Sequence, residues 1–347
     1  METSNFISLR ESRVGSEASE LEQRFAEDGY VFTRGAIERE KIERVRDRIV
    51  EELKLHGLVT ADVVSSAPTW SGKSPDADEV LPEGPIISAI AETGMLSQLS
   101  SAPELIELLE KTLGGDVFRW KDADARMRII LEDQISREGG AEGPKFSFAV
   151  PPHQDYFFFR PIKFCIVWIP LMDIDESVGG LTVREGAHKE GLHETWWKGK
   201  EFLGVASSPA ERLEWQEAGA VAVAGTTRAS VEDEEKSWLR SDYRVGDAII
   251  VDALMMHAGV PNRSNRVRLS ADFRYQRKGT PTHWESYKPM EYAANYFSSV
   301  LAYLDELQVT PGLYERVWEQ MRLTGPDEEN GDDIPTRVRG LVEVLDN

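Results

Sequence analysis

The chain contains 347 residues, with 40 Lys and Arg against 61 Asp and Glu, and its formal net charge is -21 at pH 7. This charge repels polyanions at long range, so nucleic acid and anionic lipid surfaces are not expected partners. The single cysteine, Cys165, excludes an internal disulfide. No run of residues approaches the roughly 20 apolar positions that span a bilayer, and the first residues lack the apolar stretch of a signal peptide. We therefore expect a protein of the reducing cytoplasm.

The first part of the chain predicts helices. After a polar tail over residues 1–17, the segment 18–120 carries apolar residues at three- and four-residue steps, which is the spacing of one helix face. Leu21 and Phe25 share such a face in a first helix that Gly29 ends. The apolar positions of a second helix are Ile42, Val45, Ile49 and Leu53. We expect both helices to face a core and to contribute no chemistry.

Residues 121–280 change to short β-rich runs separated by Gly, Pro, Asp and Asn. This pattern predicts an antiparallel sandwich or barrel, and we interpret the aromatic set Tyr156–Phe159 as part of one strand. The stretch 195–240 has few strand signals and is interpreted as a lid-like insertion over one end of the barrel. Residues 281–347 predict a helical extension. We expect one domain, mainly β with flanking helices.

The stretch "PPHQDYFFFRPIK" at residues 151–163 places His153 and Asp155 two positions apart, on the same face of an extended strand. A single His-x-Asp pair is weak evidence for a metal site. A second segment, "YRVGDAIIVDALMMHAGVPNRSNRVRLSADFRYQ", adds His257 after an apolar strand. Two imidazoles and one carboxylate, with open positions opposite, form the facial triad of non-haem Fe(II) oxygenases. His153, Asp155 and His257 are therefore the candidate metal ligands and catalytic centre.

The strand after His257 supports this reading independently. Its alternation predicts one apolar face and one polar, basic face. The polar face contains Arg266, Arg268, Ser270, Asp272 and Arg274. An arginine can grip a carboxylate with two hydrogen bonds, and Ser270 points the same way as Arg268 and can add a hydroxyl donor. The alternative is a solvated outer face with internal ion pairs; together with the triad, a carboxylate-binding role for Arg268 is favoured.

These segments resemble, in order, those of the phytanoyl-CoA dioxygenase family of Fe(II)- and 2-oxoglutarate-dependent oxygenases, over about residues 21–277. The similar stretches are "FAEDGYVFTRGAIEREKIERVRDRI", "HQDYFFFRPIKFCIVW", "GGLTVREGAHKEG" and "GDAIIVDALMMHAGVPNRSNRVRLSADFRYQ". The resemblance implies a double-stranded β-helix (jelly-roll, cupin-like) core and an enzyme that uses Fe(II), 2-oxoglutarate and dioxygen, with ascorbate as reductant in vitro. It also implies that His153, Asp155 and His257 bind the iron.

The resemblance further implies residues of the cosubstrate pocket. Arg268 would grip the distal carboxylate of 2-oxoglutarate, Trp168 would line the pocket, and Arg128 would face it. Where the family often has Ser or Thr two positions after the distal histidine, this chain has Gly259. The corresponding hydrogen bond would then be missing or supplied by Ser270.

The expected function is oxidation, by default hydroxylation, of an unactivated carbon of a small-molecule metabolite, consistent with biosynthesis in secondary metabolism. Desaturation or ring closure would use the same residues. An acyl-CoA substrate would call for a basic site mouth, where the chain offers only Arg160, Lys163, Lys198 and Lys200. The alternatives are a non-catalytic jelly-roll binding protein, a zinc hydrolase on the same triad, and an acyl-CoA hydroxylase. We expect a monomer or homodimer whose partner is a small molecule.

Overall fold

The structure is a computed structural model, and it describes a defined set of segments of the chain. These are residues 6–62, 64–72, 83–121, 127–131, 150–159, 162–198, 201–206, 209–223, 237–281, 299–300, 303–304, 307, 309–325 and 333–345.

The N-terminal part supplies helices that cover the sheet core. They are α1 (Ala18–Asp28), α2 (Arg39–Leu55), α3 (Glu83–Ala91), α4 (Met95–Ser100) and α5 (Pro103–Leu113). Gly29 caps α1 in the left-handed conformation, with φ 74°, which confirms the predicted helix end. The apolar positions predicted for the second helix are all buried on α2. They join the main hydrophobic cluster together with strand residues of the core.

Two sheets form the β core. The strands concerned are β1 (Glu11–Ser12), β2 (Tyr30–Thr33), β3 (Val117–Arg119), β4 (Met127–Ile130), β5 (Cys165–Pro170), β6 (Gly180–Arg184), β10 (Trp238–Leu239), β11 (Ala248–Asp252), β12 (His257–Val260) and β13 (Arg268–Arg277). The larger sheet has the order β1-β2-β11-β5-β13-β3, with β4 also paired to β13, and the smaller has the order β10-β6-β12. Apart from the parallel β1-β2 pair, the neighbouring strands run antiparallel. The architecture is the predicted jelly-roll core with flanking helices.

The long strand β13 positions most of the polar face predicted from the sequence. Arg268 pairs with Ile130 of β4, and Asp272 pairs with Trp168 of β5. β13 pairs with neighbouring strands along both of its edges. The side chains on both of its faces are also buried over nearly the whole strand. Its polar side chains therefore face an interior space between the two sheets, and not solvent.

The segment 195–240 is more regular than its sequence suggests. It contains β7 (Thr195–Lys198), β8 (Glu201–Gly204) and β9 (Val221–Val223), which pair in the order β8-β7-β9, and the helix α7 (Pro209–Glu217). Trp196 is buried and lies 6.4 Å from the ring of Trp215 on α7. Residues 199–200, 207–208 and 224–236 lie outside the described residues. Closure of this segment over the site stays a prediction.

The strand prediction for Tyr156–Phe159 is wrong. These residues form a short helix, α6. The backbone N–H groups of Phe157 and Phe158 donate to the carbonyl oxygens of Gln154 and Asp155, each at 3.0 Å, so the chain turns immediately after Asp155. Aromatic residues favour strands only where a partner strand is available. Here the ladder ends at the preceding residues, and the local preference is overridden.

Two helices follow the β core, at Pro311–Thr324 and Ile334–Leu345. They share a hydrophobic cluster of their own, which includes Leu313, Val317, Met321 and Val338. The helical prediction for the C-terminal part is confirmed over these ranges, whereas residues 282–298 lie outside the described residues. Among the residues that are described, no helix has both the length and the apolar character required to cross a membrane.

Candidate metal centre

His153, Asp155 and His257 come together in the space between the two sheets. The backbone N–H of His153 donates to the carbonyl of His257 at 3.0 Å, and the reverse bond is 2.9 Å. This isolated bridge places the two histidines side by side, and Asp155 follows at the turn into α6. One ligand atom from each of the three residues lies within 4.8 Å of the others. Among the described residues, these three form the one group of three or more His, Cys, Asp or Glu side chains that is close enough together to hold a metal ion.

Both imidazole rings are oriented by the backbone. His153 Nδ1 donates to the carbonyl oxygen of Pro151 at 2.8 Å, and His257 Nδ1 donates to that of Met255 at 3.0 Å. A carbonyl oxygen can only accept, so the Nδ1 of each ring carries a proton, and in the neutral form of the ring Nε2 keeps its lone pair. A hydrogen bond at one ring nitrogen is the usual way in which a protein orients a metal-binding histidine.

The two oxygens of the Asp155 carboxylate have different partners. Oδ1 lies 3.3 Å from His153 Nε2 and 3.9 Å from His257 Nε2, whereas Oδ2 lies 3.3 Å from an Nη2 of Arg274. Burial by itself would raise the pKa of Asp155, but the positive charge of Arg274 beside it holds that pKa well below its usual range. The carboxylate is therefore ionised and can act as a metal ligand at neutral pH.

His257 is buried, and its charged form is disfavoured. Burial, followed by the proximity of His153, lowers the pKa of His257 to about 4. The ring is thus neutral at physiological pH, which is the form that binds a metal. The donor set of two neutral imidazoles and one carboxylate fits Fe(II) with open coordination positions.

Gln154 lies between the two candidate ligands of the His-x-Asp pair, and its structural role was not predicted from the sequence. Its amide nitrogen donates to the carbonyl oxygens of Gly191 (2.8 Å) and Leu254 (2.6 Å), and its amide oxygen accepts from the N–H of His193 at 2.8 Å. The side chain is almost completely buried. It therefore ties the ligand-bearing segment to the chain at Gly191–His193 and at Leu254, and it is not among the residues that line the cavity.

Arg268 lies in the same cavity as the three candidate ligands. It is 5% exposed, and its Nη1 donates to the carbonyl oxygens of Val260 (2.9 Å) and Gly180 (3.5 Å). Its Nε has no hydrogen-bond partner among the described residues. Burial, with the nearby charge of Arg128, lowers the pKa of Arg268 to about 10. The guanidinium is charged at neutral pH, anchored on one side and available to an anion on the other.

Ser270, Trp168 and Arg128 also line this cavity. The hydroxyl of Ser270 is buried without a hydrogen-bond partner among the described residues, which leaves it available to a ligand. Trp168 packs its ring edge-to-face with Tyr243, with a centroid distance of 4.7 Å. Arg128 forms a two-pronged ion pair with Asp272, at 2.9 and 3.3 Å. Its charge is therefore compensated within the protein.

The cavity has an empty volume of about 680 Å³, counting its open mouth. Its walls come from β4, β5, β11 and β13 of the larger sheet and from β6 and β12 of the smaller one. Gly259 lies on this wall, and its N–H donates to the carbonyl oxygen of Val150 at 2.9 Å. The apolar lining residues include Ile130, Val150, Ile166, Leu181 and Val251. The site thus combines a polar end with a mainly apolar chamber.

A comparison with protein families accounts for this arrangement. Residues 25–270 match the phytanoyl-CoA dioxygenase (PhyH) family. The chain belongs to this family. It is therefore an Fe(II)- and 2-oxoglutarate-dependent oxygenase with a jelly-roll core. The family match spans the triad candidates and Arg268, and it ends before the C-terminal helices.

Two hydroxylases from Streptomyces are similar to the chain. The 1-deoxypentalenic acid 11-beta-hydroxylase of Streptomyces exfoliatus is 30% identical over 263 residues, which cover 74% of this chain and 80% of that enzyme. The enzyme of the same name from Streptomyces arenae is 27% identical over 260 residues, with the same coverage of 74% and 80%.

Solved structures with a similar chain course have lower identity. The epimerase SnoN in complex with Fe3+, alpha-ketoglutarate and nogalamycin RO is 17% identical and has a TM-score of 0.46 over 76% of this chain and 85% of that one. The non-haem monooxygenase ThoJ is 16% identical, with a TM-score of 0.45 over 93% of this chain and 99% of that one.

Proposed function

We propose that His153, Asp155 and His257 bind Fe(II), that Arg268 and Ser270 hold the distal carboxylate of 2-oxoglutarate, and that the enzyme hydroxylates an unactivated carbon of a small apolar carboxylic acid. The ionised Asp155 and the two Nε2 lone pairs supply the three protein ligands. Iron, 2-oxoglutarate and dioxygen together supply the oxidant for a C–H bond and leave succinate and carbon dioxide as coproducts.

The observation that carries this proposal is the buried cation beside the triad. Leaving the charge of Arg268 buried without a carboxylate would cost free energy unless a ligand completes the site. An unpartnered Nε and the unpartnered hydroxyl of Ser270 in one cavity with the triad suit a carboxylate. Trp168 lines the same cavity. A zinc hydrolase would give Arg268 no role.

The substrate class is argued from the relatives and the lining of the chamber. The two similar Streptomyces enzymes are described as hydroxylases of 1-deoxypentalenic acid. The chamber here is mainly apolar, as small-molecule sites generally are. Coenzyme A carries several phosphate charges and would call for a cluster of basic residues at the mouth. Of the four basic residues expected there, the described ones are Lys163 and Lys198, which are both exposed. Arg160 and Lys200 lie outside the described residues. We therefore favour a free acid over an acyl-CoA thioester.

The proposed setting is the cytoplasm, with the enzyme acting as a monomer or homodimer on a diffusible metabolite. A net charge of -21 supports a partner other than nucleic acid or a bare anionic membrane. The one cysteine is free and buried, as a reducing compartment permits.

The test is succinate formation from 2-oxoglutarate, with Fe(II), ascorbate and dioxygen. We expect the wild type to form succinate and the variants His153→Ala and Asp155→Ala to lose this activity, since each removes a ligand. His56→Ala is the matched control, because His56 lies at the end of α2 and outside the cavity. A wild-type protein that binds neither Fe(II) nor 2-oxoglutarate would exclude the enzyme reading in favour of a binding protein.

A further inference from the structure

The C-terminal helix Pro311–Thr324 lies beyond the segment that matches the family, yet it contacts α6, the helix that follows Asp155. Arg322, in its last turn, is 5% exposed and donates a hydrogen bond from Nη1 to the carbonyl oxygen of Phe158. Its guanidinium carbon also lies 5.1 Å from the ring centroid of Phe159. Both phenylalanines belong to α6, which follows Asp155 directly, so this helix is attached to the ligand-bearing segment.

Arg274 contacts the same ring from the β core. It is 5% exposed, and its guanidinium carbon lies 4.3 Å from the ring centroid of Phe159. A cation within about 6 Å of an aromatic centroid is attracted to the ring, so both arginines hold Phe159. Arg274 is also the residue whose Nη2 lies 3.3 Å from Oδ2 of Asp155. The contacts thus form a continuous path from the C-terminal helix to the carboxylate.

The orientation of this carboxylate matters for metal binding. Oδ1 faces the two imidazoles, and Oδ2 is occupied by Arg274. A carboxylate without such a partner could rotate and present either oxygen or both. Groups that hydrogen-bond a metal ligand generally set its orientation and are needed for full metal affinity.

We propose that Arg274 and Arg322 are positioning residues for Asp155, and that their shared contact with Phe159 couples the C-terminal helix to the metal centre. The inference rests on the proposed function, in which Asp155 is a ligand. Arg274 holds the non-ligating oxygen directly. Arg322 acts through Phe159, because it fixes the ring against which the guanidinium of Arg274 lies.

The test uses Co(II), which needs neither dioxygen nor 2-oxoglutarate and whose absorption spectrum reports the ligand geometry. We expect Arg274→Met to raise the Kd for Co(II) about 10- to 100-fold, as loss of an outer partner typically does. Arg322→Met should give a smaller rise and a spectral change in the same direction. Arg322→Lys should lie between wild type and Arg322→Met, because it keeps the charge but loses the planar fork.

The matched control is Arg339→Met. The guanidinium carbon of Arg339 lies 5.6 Å from the ring centroid of Tyr303, so this variant removes a similar contact elsewhere in the C-terminal region. Its Kd and spectrum should equal those of the wild type. The double variant Arg274→Met/Arg322→Met should lose less than the product of the single losses, because residues in one network are not independent.

The coupling is refuted if Arg322→Met and Arg322→Lys both bind Co(II) with wild-type affinity and spectrum, or if the two single effects simply multiply. Thermal unfolding of each metal-free variant separates general destabilisation from loss of positioning. A wild-type protein that fails to bind Co(II) would instead count against the proposed function. Wild-type metal binding with unaffected arginine variants would count only against this inference.

Discussion

Arg268 is the single residue whose replacement should most directly affect the cosubstrate. We expect Arg268→Ala to raise the KM for 2-oxoglutarate by about two orders of magnitude, since removing one partner of a buried charge pair costs about 2–5 kcal/mol. Iron binding should stay nearly unchanged, because Arg268 is not a proposed ligand. Arg268→Lys should restore only part of the affinity, because the fork geometry is lost. Succinate formation against 2-oxoglutarate concentration measures the effect.

Arg266→Ala is the control for this prediction. Arg266 lies two positions before Arg268, ahead of the start of β13. It pairs with Asp175 at 2.5 Å and is not among the residues that line the cavity. Its variant should keep the wild-type KM. If Arg268→Ala keeps that KM as well, the role passes to Arg128, which lines the same cavity.

His257 should make the stability of the metal-free protein depend on pH. The unfolded chain takes up a proton on this ring near pH 6.5, whereas the folded protein does so only near 4. The unfolded state therefore binds more protons in this window, and the free energy of unfolding should fall as the pH drops from about 6.5 to about 4, by on the order of 3 kcal/mol. Urea unfolding in the presence of a chelator measures it.

The comparison variant is His257→Gln, which has no proton to gain. Its free energy of unfolding should change less between pH 6.5 and pH 4 than that of the wild type, with the remaining change due to other groups. Equal pH dependences would contradict the pKa shift assigned to His257.

At the level of elements, the junction between β6 and β12 supports Arg268. Gly179 has φ +90°, and a Cβ added there would lie 2.2 Å from the carbonyl oxygen of Val260. That oxygen accepts the 2.9 Å hydrogen bond from Arg268 Nη1. Gly179 is therefore required both for its left-handed conformation and for the close approach of the two chain segments.

We expect Gly179→Ala to lower the free energy of unfolding by about 3 kcal/mol, from backbone strain and the clash together, and to raise the KM for 2-oxoglutarate. Gly219→Ala provides the control, since Gly219 has φ +82° with nothing within 4 Å of an added Cβ. It should cost only about 1 kcal/mol and leave the KM unchanged. Denaturant unfolding and steady-state kinetics test both; equal losses in the two variants would show that the contact with Val260 has no role.

The elements also differ in how well sequence patterns predict them. The periodic apolar positions of α2 and the alternating residues of β13 each have one strong local signal, and both formed as expected. The run Tyr156–Phe159 became a helix because its backbone N–H groups turn back to Gln154 and Asp155. The strands β7, β8 and β9 were missed because their pairing is confined to a small separate sheet.

At the scale of the whole molecule, the negative net charge of the chain and the mainly apolar lining of the cavity together predict the substrate class. A free carboxylic acid on a terpenoid scaffold should stimulate succinate release above the uncoupled rate, and acyl-CoA thioesters should stimulate it less. The net charge of -21 slows the approach of a polyanion. Substrate-stimulated succinate release across a panel of free acids, acyl-CoAs and amino acids measures this. Strong stimulation by an acyl-CoA that salt and Lys198→Ala both weaken would contradict the prediction.

The residues of the candidate site could be selected from the sequence because their spacing is local. A His-x-Asp pair, a histidine after an apolar strand and an arginine eleven positions later carry their own signal, and the order of segments supported the family and its jelly-roll core. Long-range relations carry no such signal. The partners of Arg128, the buried amide of Gln154 and the contact of Arg322 with α6 depend on segments far apart in the chain.

The sequence by itself determined the class of fold and the candidate ligands, since strand alternation and residue spacing require only local geometry. Tertiary structure decided the protonation and orientation of those ligands, because burial and neighbouring charges arise only once the sheets close. It lowered the pKa values of Asp155 and His257 and left Arg268 without a carboxylate partner among the described residues. It also brought Arg322 of the C-terminal helix against α6, because packing between distant segments is set by the whole fold.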